Sequence, residues 1–82
     1  AALEAIGSGI RVNSVSPGPV DTPMSLRPGE DRAARDARMA QVNPSKRVAK
    51  LEEITSAVLW LCSEGAAYTV GHDLVVDGGA SV

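Results

Sequence analysis

The chain has 82 residues, of which 44% are apolar and 22% charged, and its net charge is −2. This composition fits one small globular domain and excludes the basic surface that nucleic-acid binding requires. Its single cysteine and single histidine exclude a disulfide framework, a cysteine-based zinc cluster and a His-pair metal site, and no apolar run approaches a membrane span.

The beginning of the chain predicts a helix followed by a strand. Residues 1–6 are good helix formers without a preceding N-cap, so they predict a truncated helix that ends near Gly7 and Gly9. Residues 10–16 are rich in β-branched residues and predict a strand, which Pro17 ends because proline has no N–H for a ladder. A helix without its own start favours a chain that is part of something larger.

The second half predicts two helices and a final strand. Residues 30–42 predict a helix with thin apolar content, and residues 51–63 a helix with one apolar face. That face consists of Leu51, Ile54, Val58 and Leu61. Residues 74–76 predict a short buried strand. Two apolar strands separated by a helix indicate a right-handed crossover in a parallel α/β sheet, which further strands must complete.

Two segments carry a family resemblance. Residues 9–22 read GIRVNSVSPGPVDT, and residues 71–79 read GHDLVVDGG. In this order, with residues 43–48 and helix 51–63 between them, they resemble the sixth and the last strand of the short-chain dehydrogenase/reductase family. The resemblance covers nearly all of the chain. It implies that residues 1–82 are the C-terminal segment of one Rossmann-like domain with a doubly wound parallel sheet, and that residues 24–48 are its substrate lid.

The resemblance also implies a function. We expect the parent protein to be a cytoplasmic oxidoreductase that uses NAD or NADP to interconvert an alcohol and a ketone by hydride transfer. Its partners would be a small carbonyl or alcohol substrate and further copies of itself, as a homodimer or homotetramer, without nucleic acid or membrane. The family's glycine-rich dinucleotide loop, catalytic serine and Tyr-x-x-x-Lys pair have no match here. We therefore expect no catalytic residue, no metal site and no activity in these 82 residues alone.

Two alternatives remain open at this point. The chain could be a catalytically incomplete fragment or a stand-alone oligomerisation and interaction module, because helix 51–63 is apolar on more than one side. It could instead belong to a ketoreductase linked to acyl carrier protein. Arg32, Arg35 and Arg38 would then share a helix face and meet a carrier-protein phosphate, although a surface face paired with neighbouring carboxylates is the simpler interpretation.

The candidate cofactor-binding residues are Pro17, Gly18, Val20 and Thr22. Ligands of open α/β sheets bind beyond the carboxyl ends of the strands, and a glycine-containing backbone offers donors and acceptors at short range. The resemblance implies that the backbone at Val20 meets the nicotinamide carboxamide and that the Thr22 hydroxyl bonds to the carboxamide or the pyrophosphate. The residues alone favour a Pro-Gly turn, with Thr22 as a turn or N-cap residue.

The remaining polar and reactive residues carry weaker signals. The resemblance implies that Asn13 supports the site by linking the strand to the active-site loop, and a satisfied structural amide is an equal alternative. We expect Cys62 to be inert core. Asp21 and Asp77 stand in predicted turns, where hydrogen bonding to the nearby backbone is the default.

Overall fold

The computed structural model describes residues 1–82 and has the predicted order of elements. These are α1 (Ala2–Ile6), β1 (Ser14–Pro17), α2 (Arg32–Val42), α3 (Leu51–Cys62) and β2 (Asp73–Val76). Single 3₁₀ turns at Pro23–Ser25 and Glu64–Ala66 precede α2 and follow α3. None of the helices combines the length and the apolar character that crossing a membrane would need.

The two strands form a parallel pair, which confirms the predicted α/β class. Ser14 lies opposite Asp73 and Pro17 opposite Val76. The strand starts later than the predicted residues 10–16 because the His72 N–H donates to the Asn13 side chain and not to a backbone carbonyl, so the only backbone bond between residues 10–13 and the segment before β2 runs from the Gly71 N–H to the Val12 carbonyl. Pro17 is tolerated inside β1 because the N–H groups of residues 14 and 18 point to β2, so the missing N–H of residue 17 belongs to the other edge.

Local hydrogen bonds explain where the longer helices begin. The Asp31 carboxylate accepts a 2.8 Å bond from the Ala34 N–H and caps α2, which therefore starts at Arg32 rather than at residue 30. At the start of α3, the Lys50 N–H donates to the Glu53 carboxylate at 2.8 Å. Both starts use an acidic side chain near the positive end of the helix.

A single further pairing extends the sheet beyond β1. Val20 and Ala49 form a parallel bridge, which places the exit of the segment 24–48 beside residues 17–22. The predicted lid is thus anchored at both of its ends to the same region of the fold.

Burial differs from the prediction in two regions. Of the five buried residues, three lie within residues 24–48, namely Arg35, Met39 and Asn43. Most of α2 is exposed, as its thin apolar content predicts, but Arg35 and Met39 are buried, which that content did not indicate. The scarcity of large apolar side chains in residues 24–48 also predicts that this segment is the most mobile part of the chain, and this stays a prediction.

The apolar face of α3 is only partly covered. Leu61 is buried, whereas Leu51 is 58% and Val58 42% exposed, and Cys62 is exposed rather than core. Two short strands are too narrow to cover a helix of three turns, which explains why the predicted packing holds only at one end. The radius of gyration, 15.8 Å, also exceeds the value of about 12 Å for a compact chain of this length.

Candidate functional site

The candidate loop begins where the backbones at the carboxyl ends of β1 and β2 approach each other closely. The Gly18 N–H donates to the Val76 carbonyl at 2.9 Å, which continues the ladder one residue beyond Pro17. A Cβ on Gly18 would lie 2.7 Å from the Cα of Asp77. Gly18 is therefore needed for the close approach of two backbones, and the chain leaves the sheet directly after it.

Val20 has a backbone N–H that is free of the rest of the chain. The bonds of the bridge with Ala49 come from the neighbours of Val20: Ala49 donates to the Pro19 carbonyl at 2.8 Å, and Asp21 donates to the Ala49 carbonyl at 2.9 Å. Because successive residues of an extended chain face opposite sides, the Val20 N–H and C=O point to the other side. The Val20 N–H makes no hydrogen bond within the chain.

Thr22 stands next to the Val20 carbonyl. Its N–H donates to that carbonyl at 2.7 Å, and its hydroxyl does so at 3.3 Å. Thr22 occupies the N-cap position of the 3₁₀ turn, but its side chain makes no capping bond, so the N-cap interpretation applies to the backbone alone. The hydroxyl oxygen keeps its lone pairs for another donor.

Asn13 lies at the opposite end of β1. Its side-chain amide donates to the Thr69 carbonyl at 3.0 Å and accepts from the His72 N–H at 2.9 Å. Both bonds go to the segment before β2, and neither reaches residues 17–22. Asn13 therefore joins the two strands at their amino ends, and a direct link to the loop is not part of its hydrogen bonding.

Arg11 is a structural residue that the sequence analysis missed. Its guanidinium donates to the carbonyls of Leu61 at 3.0 Å, Ala66 at 2.9 Å and Ser63 at 3.2 Å. These carbonyls include the end of α3, where helix carbonyls lack partners of their own. Arg11 thus ties the end of α3 to the chain entering β1. A lone arginine before a strand gives no signal for this role.

The arginines of α2 hold the loop after residue 20. Arg35 is buried and pairs with Asp21 at 2.8 Å and with Asp36 at 2.9 Å. Arg38 pairs with Glu30 at 2.7 Å. Hydrogen bonds from Arg35 and Arg38 lower the pKa of Asp21 and Glu30 respectively, that of Glu30 to about 2. Pairing with neighbouring carboxylates is confirmed, but Arg35 is not part of a solvated face and Asp21 is not a turn-forming Asx residue.

Asp77 and Asn43 close the other side of the site. The Asp77 carboxylate accepts from the N–H groups of Ser81 and Gly79 at 3.0 Å each, which confirms its turn role, and the Ser81 and Gly79 bonds lower its pKa. The buried Asn43 amide accepts from the N–H and the hydroxyl of Ser45 at 2.9 and 2.7 Å. An asparagine before a proline signals only the end of a helix, so this role of Asn43 was not predicted.

A small cavity lies between these groups, behind the loop. Its volume is about 90 Å³ and it is lined by Pro19, Asn43, Arg47, Glu53 and Asp77, among others. Arg47 and Glu53 form a two-bond ion pair at 2.6 and 2.8 Å on one wall. The cavity separates the loop from α3 and is too small for a nucleotide, so any cofactor would lie on the open side of residues 17–22.

The loop fits a carboxamide. A primary amide offers one carbonyl acceptor and two N–H donors. Val20 supplies an unused N–H for the carbonyl, and the Thr22 hydroxyl oxygen supplies an acceptor for an amide N–H, whereas the Val20 C=O already accepts two bonds from Thr22. The chemistry of this donor set therefore agrees with the nicotinamide end of a dinucleotide, as far as these residues extend.

The chain is similar to known proteins over nearly its whole length. A family model described as enoyl-(acyl carrier protein) reductase matches residues 1–81. Short-chain dehydrogenase RED2 of Pyricularia oryzae is 43% identical over 82 residues, which are all of this chain and 30% of the relative.

Solved structures give the same result. Acetoin dehydrogenase YohF from Salmonella typhimurium superposes with a TM-score of 0.75 at 44% identity, over 98% of this chain and 28% of that one. The 3-oxoacyl-[acyl-carrier protein] reductase from Brucella melitensis gives a TM-score of 0.82 at 30% identity, over 99% and 29%. The chain spans about 30% of the length of the curated relatives it matches. On its sequence and its fold, the chain belongs to the short-chain dehydrogenase/reductase family.

Proposed function

We propose that this chain forms the nicotinamide side of an oxidoreductase that interconverts an alcohol and a ketone with NAD or NADP. The observation that carries the proposal is the free Val20 N–H beside the Thr22 hydroxyl, at the carboxyl end of a parallel strand. The names of its relatives support the reaction class, since they include dehydrogenases and a 3-oxoacyl-[acyl-carrier protein] reductase.

The residues of this chain would orient the cofactor and take no part in the reaction itself. A bound nicotinamide cofactor supplies or accepts the hydride. Val20 and Thr22 would hold the carboxamide and so set which face of the ring meets the substrate, and Gly18 keeps the strand ends close enough for that position. Tyr68 is fully exposed and is followed four positions later by His72 rather than lysine. We therefore assign the proton step to residues beyond these 82.

We further propose that the protein assembles as a homodimer or homotetramer. Leu59 is 64%, Trp60 46% and Val75 48% exposed, and these residues lie on α3 and β2, which pack on each other. Exposed apolar side chains grouped on one helix and an adjacent strand are typical of an interface, and a two-fold contact would cover both elements at once.

A reductase acting on acyl carrier protein substrates is the second candidate. The description of the matching family and the name of the Brucella melitensis protein favour it. The arginines of α2 do not favour this candidate. Arg35 and Arg38 are already paired with carboxylates, and of the three arginines on that helix only Arg32 has no polar partner. A carrier-protein phosphate would have to bind elsewhere.

Cofactor binding to the whole protein tests the proposal. Titration of NADH and NADPH, followed by their fluorescence, should give saturable binding of at least one of them. Steady-state assays with simple ketones and with a 3-oxoacyl carrier protein then separate the two candidates. Binding of neither cofactor by folded, full-length protein would overturn the proposed function and leave the interaction-module alternative.

A further inference from the structure

Arg35 connects α2 to Asp21, which lies within the candidate cofactor-binding residues 17–22. Its side chain is 4% exposed. One guanidinium nitrogen donates to the Asp21 carboxylate at 2.8 Å and to the Ser25 hydroxyl at 3.0 Å, and two others donate to Asp36 at 3.1 and 2.9 Å. All three of its nitrogens are therefore used, and two of its three partners lie outside α2.

Asp21 is the residue through which this contact can act. Its carboxylate is held by Arg35, and its N–H donates to the Ala49 carbonyl at 2.9 Å. The residue is thus anchored from both the side chain and the backbone. The peptide plane before Asp21 carries the Val20 carbonyl, and the plane after it carries the Thr22 N–H. Holding Asp21 on two sides sets the direction of both planes.

No other charged side chain near the pair donates a hydrogen bond to Asp21, and Arg32 acts on it only through its charge. A surface cleft of about 400 Å³ beside Arg35 is lined by Asp21 and Asp36 and by the cations Lys46, Arg47 and Lys50. Arg47 is engaged with Glu53 at 2.6 Å, and neither lysine bonds to Asp21 through its side chain. Met39, one turn further along the helix, is also buried. Arg35 contributes directional bonds to a side chain that nothing else holds.

We propose that Arg35 is a positioning residue for the cofactor, which acts through Asp21 to hold Val20 and Thr22 in the geometry that a carboxamide needs. The inference rests on the proposed function. Arg35 then couples the position of α2 to the backbone of residues 20–22. A change at Arg35 therefore alters cofactor affinity although Arg35 touches no cofactor atom.

Two arginine variants of the whole protein separate positioning from mere stabilisation. Arg35→Met removes the contact with Asp21. Arg38→Met, on the same helix, is the matched control, because it breaks two bonds to Glu30 and one to the Ser25 carbonyl but none to residues 20–22. Both variants should lower the melting temperature. Only Arg35→Met should raise the dissociation constant for NADH or NADPH, by roughly 5- to 20-fold, the lower part of the usual range for coupled sites.

Conservative variants keep the test decisive. Arg35→Lys retains the charge but loses the forked geometry, so it should bind the cofactor with intermediate affinity. Asp21→Asn removes the ion pair from the other side and should raise the dissociation constant for the cofactor as much as Arg35→Met does. If Arg35→Met does not fold, the cofactor affinities of Arg35→Lys and Asp21→Asn are compared with that of Arg38→Met instead. Equal cofactor affinity of the Arg35, Asp21 and Arg38 variants would overturn the inference. Failure of the unmodified protein to bind either cofactor would instead overturn the proposed function.

Discussion

Gly18 and Asp77 pack so closely that a Cβ on Gly18 would lie 2.7 Å from the Cα of Asp77 and 2.8 Å from its Cβ. Neither atom belongs to a flexible side-chain end, so a larger residue at position 18 must move backbone. The two residues follow β1 and β2 directly, and their contact sets how the chain leaves the sheet toward Val20.

Substituting Gly18 by alanine should therefore affect both stability and the loop. We expect Gly18→Ala to lower the free energy of unfolding by about 1–3 kcal/mol, the usual cost of overpacking, and to weaken cofactor binding. Gly7→Ala is the control, because a Cβ there would lie 3.6 Å from the nearest atom and the backbone of Gly7 is helical. Chemical denaturation of both variants measures the difference. Equal stability of the two would contradict the assigned contact.

Thr22→Ala should weaken cofactor binding more than substrate binding. The change removes a hydrogen bond worth about 0.5–1.5 kcal/mol, which corresponds to about a 2- to 10-fold higher dissociation constant. The control is Thr55→Ala, whose hydroxyl bonds only to the Leu51 carbonyl at 3.1 Å on the exposed side of α3. If only the KM of the carbonyl substrate rises, Thr22 belongs to the substrate site and not to the cofactor site.

The two strongest ion pairs predict a response to acid. Hydrogen bonds from Arg38 and the Arg27 N–H lower the pKa of Glu30 from 4.5 to about 2, and Arg47 and the Lys50 N–H do the same for Glu53. A lowered folded-state pKa stabilises the protein above the ordinary pKa, and this contribution is lost as the pH falls from about 4.5 to about 2. The free energy of unfolding should therefore fall across that range.

A glutamine variant isolates one of these groups. Glu30→Gln should be less stable than the unmodified protein at pH 7, and the difference should shrink as the pH falls from about 4.5 toward 2, because Glu30 itself then becomes neutral. Urea denaturation at constant ionic strength provides the measurement. A difference that stays constant over this pH range would show that Glu30 does not carry the lowered pKa.

The sequence anticipated the elements that depend on local patterns. The apolar spacing of α3 predicts its face, and α2 and α3 both begin within two positions of the prediction. The parallel strand pair also follows from β-branched residues on either side of a helix. These features arise from neighbours along the chain, so a single sequence contains their causes.

The contacts that organise the site join residues far apart in the chain. Arg35 meets Asp21 across 14 positions, and Arg11 reaches the end of α3 across 50. Arginines spaced three residues apart on a polar helix are as consistent with solvent exposure as with burial. Only the folded chain brings the partner carboxylate to Arg35. The uncovered face of α3 has the same origin, because the extent of a sheet cannot be read from one of its helices.

The exposed side chains of α3 predict an oligomer. Sedimentation of the full-length protein at micromolar concentration should show a dimer or tetramer, and Trp60→Glu should shift it toward smaller species because a charge replaces an apolar contact. Met24→Glu is the control, since Met24 is 95% exposed and belongs to the predicted lid segment, not to α3. A monomeric unmodified protein would contradict the proposed assembly.

The central claim is that Val20 and Thr22 meet a nicotinamide carboxamide. Hydrogen exchange at the Val20 amide tests it most directly, because this N–H has no partner within the chain. In the full-length protein, saturating NADH or NADPH should slow exchange at Val20, whereas ADP-ribose, which lacks the nicotinamide, should leave it fast. Equal protection by ADP-ribose, or an unchanged Val20 amide in the cofactor complex, would contradict the account.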